Sequence, residues 1–275
     1  AALNAATLTL ASPGATNSLR ANKYLIVDTT VPADFTVGSV ITTGGTVTAG
    51  KWNSTNTGIN VTVPLADDAT LIGGTLQIQA SVASGLYENL GSAHTIGGSE
   101  PNTSVTSSFD AATFEALSGG ISNGESILFK AILTDKAGNA KTGTQSGTSI
   151  AFDQSVPAFS SVTPSTGSSV KVADVGYTLS EAIASGTVKY TRTGGSSDSG
   201  SPHTQNLSGA ELNTGARSLA ALSSAPTLVD GATYTIDFNG VDAAGNAATE
   251  VSVTGIFFDT TVPADFTVGS VITTG

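Results

Sequence analysis

The chain of 275 residues contains no cysteine and no methionine, and it has only one tryptophan and two histidines. The absence of cysteine excludes disulfide bonds, thiolate zinc sites and cysteine nucleophiles. The two histidines, His94 and His203, leave little material for acid–base catalysis near neutral pH. No run of about 18 apolar residues, which a membrane-spanning helix requires, occurs in the sequence. These absences argue against an enzyme and against a membrane-inserted segment.

Charged side chains are scarce, and most of them are acidic. Ten Lys and Arg residues stand against 21 Asp and Glu residues, which gives a net charge of -11. A nucleic-acid-binding protein needs a basic surface against the phosphates, and an anionic membrane would repel this chain. The balance is more compatible with divalent cations as partners or with a simple role in solubility.

An internal repeat organises the sequence. Residues 28–44 and residues 259–275 both read DTTVPADFTVGSVITTG, at an offset of 231 residues (259 − 28). Seventeen consecutive identities are not expected by chance, and a repeat of this kind indicates tandem structural units. The same DxxVP pattern returns as DQSVP at 153–157. We call these three segments the lead segments and their first residues, Asp28, Asp153 and Asp259, the lead aspartates.

A second marker supports the division into units. DKAGN at 135–139 and DAAGN at 242–246 precede the next lead segment by 18 and 17 residues (153 − 135 and 259 − 242). We call them the AGN loops. The markers predict two unequal domains with fragments of neighbours on either side: 1–27, the terminal strands of a preceding or divergent unit; 28–152, a domain of type A; 153–258, a domain of type B; and 259–275, the first strand of the next type A domain.

Alternating apolar and polar residues predict strands throughout. The pattern is clearest at 125–135 and 232–241, where every second residue is apolar, as in half-buried strands. Only 109–117 and 209–213 suggest helical turns. Further strands are expected at 58–65, 75–82, 175–180, 186–193 and 249–258. About seven short strands in each block predict an all-β fold of tandem immunoglobulin-like β-sandwiches. Because prolines and no flexible linker separate the blocks, the sandwiches are expected to form an extended, rod-like array.

The AGN loops, a closing strand and the lead segments together resemble the bacterial immunoglobulin-like tandem repeats of giant extracellular adhesins and surface proteins. Residues 175–246 resemble one repeat type of such proteins, and residues 51–63 with 70–80 resemble its frequent companion. The resemblance implies an extracellular, cell-surface setting and a structural, non-catalytic role that spaces and stiffens a stalk. The implied partners are neighbouring copies of the same repeat, with any glycan or cell-surface receptor bound elsewhere in the full protein.

The resemblance also implies calcium at the junctions between domains. Carried over to this sequence, each AGN loop and the lead aspartate that follows it would supply oxygen ligands. The candidate ligands are Asp135, Asn139 and Asp153 at one junction, Asp242, Asn246 and Asp259 at the next, and Asp28 at the first. Ordinary turn chemistry is the alternative, because Asp and Asn readily bond their own backbone in turns. The sequence leaves both interpretations open.

Two other functions remain compatible with the sequence. Strand-like pieces at both ends, ATLTL and KYLIVD at the start and ADFTVGSVITTG at the end, suggest a filament subunit that assembles by strand donation. The single tryptophan, Trp52, suggests a carbohydrate-binding module with an aromatic stacking platform. A tryptophan next to a strand also fits a core position.

Overall fold

The computed structural model describes residues 11–16, 18, 21, 27–267 and 269. The strands expected within 1–27, and most of the repeated strand at 268–275, lie outside the described residues. The filament hypothesis depends on those segments. No helix among the described residues is both long and apolar enough to cross a membrane.

The described residues form eighteen strands, one short helix and three 3-10 turns. The strands are β1 Val40–Thr43, β2 Lys51–Trp52, β3 Gly58–Pro64, β4 Thr75–Val82, β5 Glu88–Asn89, β6 His94–Thr95, β7 Ser104–Asp110, β8 Ser126–Thr134, β9 Ala140–Thr142, β10 Ile150–Phe152, β11 Phe159–Thr163, β12 Ser169–Val170, β13 Val175–Leu179, β14 Ser185–Gly195, β15 His203–Asn206, β16 Gly215–Ala220, β17 Ala232–Val241 and β18 Val251–Phe258. The helix α1 is Ala111–Glu115, and the 3-10 turns are Ala69–Leu71, Leu117–Gly119 and Gly209–Leu212. The strands and helical turns that the sequence predicts between residues 58 and 258 all appear, within one to three residues at most boundaries.

The chain divides into two compact units. The first contains the described residues of Ala1–Ile41, Ile59–Gly120 and Ile127–Ser149, and the second contains those of Thr42–Gly58, Ile121–Ser126 and Ile150–Gly275. The second unit therefore includes segments that the sequence assigns to type A, among them the loop between β1 and β3. The domain boundary at residue 153 stays a prediction.

Two sheets build the first unit. One has the strand order β1-β3-β7, and β3 buries Ile59, Val61 and Val63. In the other, β4 pairs antiparallel with β5, β6 and β8, and β9 pairs with β8. Strand β8 alternates buried and half-buried residues along its length, as the period-two sequence pattern predicts.

The second unit contains a complete sandwich over one core. Its sheets have the strand orders β11-β13-β16 and β12-β18-β17-β14-β15. Phe159 and Tyr177 from the first sheet meet Phe238 from the second, with ring centroids 5.3–6.0 Å apart. Such large aromatic side chains dominate the burial energy of a small core. The all-β prediction of tandem immunoglobulin-like β-sandwiches is confirmed.

Two short parallel pairs recur in the second unit. Strand β2 pairs with β10, which places Trp52 next to Phe152, and β12 pairs with β18, which places Val170 next to Phe258. Each pair ends directly before a lead aspartate.

Candidate functional site

Asn53 is the centre of a buried polar network in the second unit. Its side chain is completely buried, and its Nδ2 donates to the carbonyl oxygens of Thr46 at 2.7 Å and Ala244 at 2.8 Å. Its Oδ1 accepts from the backbone N–H and the hydroxyl of Thr55. A buried amide with all its bonding capacity used fixes its neighbours in one arrangement. The network ties the loop after β2 to the AGN loop at 242–246.

Asp242 and Asn246 form the other half of this network. The Oδ1 of Asp242 accepts from the backbone N–H groups of Ala244, Gly245 and Asn246 at 2.7–2.8 Å. The Oδ1 of Asn246 accepts from the backbone N–H of Ser54 at 2.8 Å. Its Nδ2 donates to Asp242 Oδ2 and to the carbonyl oxygen of Asp153, both at 2.9 Å. We call the network of Asn53, Ser54, Asp153, Asp242 and Asn246 the joint.

The AGN loop at 135–139 in the first unit has the same bonds between its asparagine and its aspartate. The backbone N–H of Asn139 donates to Asp135 Oδ1, and Asn139 Nδ2 donates to Asp135 Oδ2, both at 2.8 Å. The same Nδ2 reaches the carbonyl oxygen of Asp28 at 3.1 Å. Burial by itself would raise the pKa of Asp135, but the hydrogen bonds from Asn139 outweigh it and the pKa is lowered.

The hydrogen bonds of the AGN loops add a pairing that the sequence grouping does not contain. The sequence grouped each AGN loop with the lead aspartate that follows it, namely Asp135 and Asn139 with Asp153, and Asp242 and Asn246 with Asp259. In the structure each loop amide also bonds to the backbone carbonyl oxygen of the lead aspartate that precedes it. Asn139 reaches Asp28, and Asn246 reaches Asp153.

The side chains of the lead aspartates stabilise turns of the backbone. Asp28, Asp153 and Asp259 each accept, through Oδ1, the backbone N–H of the residue two positions on, at 3.0, 3.1 and 2.9 Å. These are Asx turns, which Asp forms without any metal ion. The alternative interpretation of the sequence therefore accounts for the geometry of the lead segments.

One acidic cluster in the second unit nevertheless has the composition of a cation site. Oxygen atoms of Asp153, Glu181 and Asp242 all lie within 4.8 Å of one another. Burial raises the pKa of Glu181, and the neighbouring Asp153 and Asp242 raise it further. Carboxylate oxygens are the ligands that Ca²⁺ prefers, so this donor set fits that ion. The sequence analysis missed Glu181, because no spacing rule links the turn after β13 to the two motifs.

Two further residues that the sequence analysis missed, Asn123 and Asp230, each hold a lead segment by a hydrogen bond. The Oδ1 of Asn123 accepts from the backbone N–H of Gln154 at 2.7 Å, and the Oδ1 of Asp230 accepts from the backbone N–H of Thr260 at 2.6 Å. Hydrogen bonds from Thr260, first from its backbone and then from its hydroxyl, lower the pKa of Asp230, and the Thr261 hydroxyl adds to the effect. The two clamps precede their targets by 31 and 30 residues.

Trp52 is not a sugar platform. Its side chain has no exposed surface, and its ring stacks on Phe152 with the centroids 6.5 Å apart and the planes within 8°. A stacking platform must be open to the ligand, so this prediction is wrong. The core alternative explains the residue. The two histidines bond to carboxylates of their own loops, His94 to Glu100 and His203 to Asp198.

No family model matches the chain, and no curated protein matches it. Solved structures to which it is similar include the FN1–FN3 domains of chicken CNTN1, with 10% identity, a TM-score of 0.34, and coverage of 82% of this chain and 65% of that one. A 1.5-MDa bacterial ice-binding adhesin has 14% identity, a TM-score of 0.38 and coverage of 84% and 67%. The fibronectin(III)-like modules of Clostridium thermocellum CbhA have 16% identity, a TM-score of 0.33 and coverage of 85% and 93%. At TM-scores this low, the similarities establish neither family nor function.

Proposed function

We propose that this chain is a structural, non-catalytic repeat segment of a secreted bacterial surface protein or adhesin stalk. Its role is to space the domains of the stalk and to stiffen it. The joint is the observation that supports it. A loop on the type A side and a loop on the type B side bury two asparagines, Asn53 and Asn246, both with no exposed surface. Flexible connections between domains usually consist of solvated linkers with few contacts. A fully bonded, buried polar network instead resists bending, because each orphaned group would cost about 1–3 kcal/mol.

The stiffness of the joint can be measured by ¹⁵N NMR relaxation. If the joint is rigid, amides of β4 and β17 report one common rotational diffusion tensor, which Asn53→Ala separates into two. Asn213→Ala is the matched control, because Asn213 is exposed and only its backbone takes part in a bond. Independent tumbling of the two strands in the unchanged chain would contradict the proposal.

The finer proposal is that calcium further stiffens the joint. The supporting observation is the approach of Asp153, Glu181 and Asp242 within 4.8 Å. At about 100 times its dissociation constant, a bound ion adds roughly 2.7 kcal/mol to the free energy of unfolding. For a domain of this size the melting temperature then rises on the order of 10–20 °C over that with a chelator.

The substitution Glu181→Gln separates the effect of calcium on the melting temperature from the effect of charge repulsion. The substitution removes like-charge repulsion, so the melting temperature with chelator should rise slightly while the calcium-dependent increase disappears. Glu250→Gln is the control, because Glu250 is exposed and outside the cluster. An equal melting temperature with calcium and with chelator in the unchanged chain would leave the Asx turns as the whole role of these aspartates.

A further inference from the structure

Each of the two parallel strand pairs lies at the end of one domain, type A or type B. The two ends can therefore be compared residue by residue. In type A, Trp52 pairs with Phe152, and the backbone N–H of Asp153 donates to the carbonyl oxygen of Trp52 at 2.9 Å. In type B, Val170 pairs with Phe258, and the N–H of Asp259 donates to the carbonyl oxygen of Val170 at the same 2.9 Å. The residues that follow each short strand therefore correspond: Asn53 with Lys171, and Ser54 with Val172.

The two AGN loops also correspond, but their surroundings differ. A Cβ atom on Gly245 would meet Thr48, Asn53 and Thr46 at 2.8–3.1 Å, whereas a Cβ on Gly138 would meet nothing within 4 Å. In the 242–246 loop, Ala244 O and Asn246 Oδ1 accept from Asn53 and Ser54. Among the residues that the structure describes, no donor reaches the equivalent Ala137 O and Asn139 Oδ1.

Among the described residues, the corresponding donors on type B, Lys171 and the backbone N–H of Val172, also have no acceptor. Lys171 is exposed, and Val172 is 49% exposed. Within the described part of the chain the backbone N–H of Val172 has no acceptor, whereas the N–H of its counterpart Ser54 is bonded at 2.8 Å. An open cavity of about 510 Å³, with Val172 and Phe258 in its wall, lies at the same end of the domain.

The repeat identifies which domain meets these donors. Residues 259–275 copy residues 28–44, so the segment after type B has the same sequence as the segment that begins type A. Asp230 clamps Thr260 and Thr261 as Asn123 clamps Gln154 and Ser155, which gives the two lead segments the same attachment. In the type A domain the 135–139 loop, with the carboxylate of Asp135, lies beside the lead segment, because Asn139 Nδ2 donates to the carbonyl oxygen of Asp28.

We propose that Lys171 and Val172 form a docking surface for the 135–139 loop of a second, following copy of the type A domain. The Val172 N–H donates to Asn139 Oδ1, as Ser54 does to Asn246. The Lys171 ammonium takes the place of the Asn53 amide and donates to Ala137 O, close to the Asp135 carboxylate. The inference rests on the proposed stalk function and supplies its second joint, in which an ion-assisted contact replaces a neutral amide.

The repeat itself provides the protein for the test. When residues 1–275 are fused to residues 45–275, the segment 259–275 supplies residues 28–44 of the second copy, so no foreign linker is needed. This extended chain contains one type B domain followed by type A and one type B domain that no further type A domain follows. Segmental ¹⁵N labelling distinguishes the two copies by NMR, and the second type B domain is an internal control for the first.

The Val172 amide of the first type B domain should exchange with solvent at least about tenfold more slowly than that of the second, as for a newly formed hydrogen bond of about 1.4 kcal/mol. Lys171→Ala in the first copy, or Asn139→Ala in the second, should abolish most of this difference. Lys189→Ala is the control, because Lys189 pairs with Asp237 on another face.

Equal exchange of the two Val172 amides would overturn the proposal. A difference that survives Lys171→Ala and Asn139→Ala together would overturn the assigned partners. Neither result depends on the Asn53 joint, whose rigidity is read separately from the relaxation of β4 and β17. Failure of this second joint can therefore be distinguished from failure of the stalk function.

Discussion

The AGN loops at 135–139 and 242–246 have the same sequence pattern and the same backbone, with φ of +98° at both Gly138 and Gly245. They differ in what covers them. Asn246 is completely buried under the loop that carries Asn53, whereas Asn139 keeps part of its surface exposed. The internal bonds of the turn are therefore sufficient to form the loop. The covering loop adds a second set of bonds that turns the same motif into a joint.

The difference also separates two roles for asparagine. In the first unit Asn139 closes a turn and holds the lead segment. In the second unit Asn246 does both and also accepts the N–H of Ser54. Since a buried polar group is costly to leave without a partner, the same substitution should have unequal effects in the two loops.

The largest expected effect is that of Asn246→Ala. It leaves Ser54 N–H, Asp153 O and Asp242 Oδ2 without their partner in a buried site, so we expect a loss of about 3 kcal/mol in the free energy of unfolding. Asn139→Ala removes the equivalent donor bonds where water can replace them, and we expect a loss of about 1 kcal/mol. Native-state hydrogen exchange of β17 for the first variant and of β8 for the second measures the two losses.

Equal losses in the two variants would contradict the distinction between a covered and an uncovered loop. The fluorescence of Trp52 provides a second measurement, because this single tryptophan directly precedes Asn53. Its emission should shift to the red in Asn246→Ala at denaturant concentrations where the unchanged chain is still native. In Asn139→Ala the Trp52 emission should not change under the same conditions.

The next largest effect is expected when Gly138 and Gly245 are each replaced by alanine. At positive φ, any Cβ costs about 1 kcal/mol, and this part should be common to Gly138→Ala and Gly245→Ala. At Gly245 the new methyl group would also press on Thr48 Oγ1 at 2.8 Å and Asn53 Nδ2 at 3.0 Å. We therefore expect a total loss of about 2–3 kcal/mol at Gly245 and about 1 kcal/mol at Gly138 in urea unfolding. A larger loss at Gly138 would show that the 135–139 loop is more tightly covered than its contacts indicate.

The elements that the sequence predicts well are those that local patterning determines. Strand β17 occupies the predicted 232–241, and β8 lies within 125–135, because a period of two residues marks a strand with one buried face. The AGN loops were also identified correctly as turns next to closing strands. Short strands such as β2 and β12 were missed, since two residues carry no periodicity.

The joint could not be predicted because its bonds connect distant residues. Asn53 reaches Ala244 across 191 positions, and Ser54 reaches Asn246 across 192. The sequence placed Trp52 as a candidate platform without indicating that the residue after it is a buried amide. Similarly, Glu181 lies close to Asp153 and Asp242 only because β13 pairs antiparallel with β11. The bond between each AGN loop and the preceding lead aspartate has the same origin, because it joins residues that are far apart along the chain.

The smallest expected effect distinguishes the two clamps by pH. Hydrogen bonds from Thr260 and Thr261 lower the pKa of Asp230, so the clamp stabilises the folded state above the ordinary aspartate pKa of about 4 and weakens as the pH falls through the lowered value. Asn123 does not titrate, and its bond to Gln154 should not change over this range. The protection factor of the Thr260 amide should therefore fall as the pH drops below the ordinary aspartate pKa of about 4, while that of Gln154 stays constant. Asp230→Asn should remove this pH dependence at Thr260, and a parallel fall at Gln154 would instead indicate general unfolding in acid.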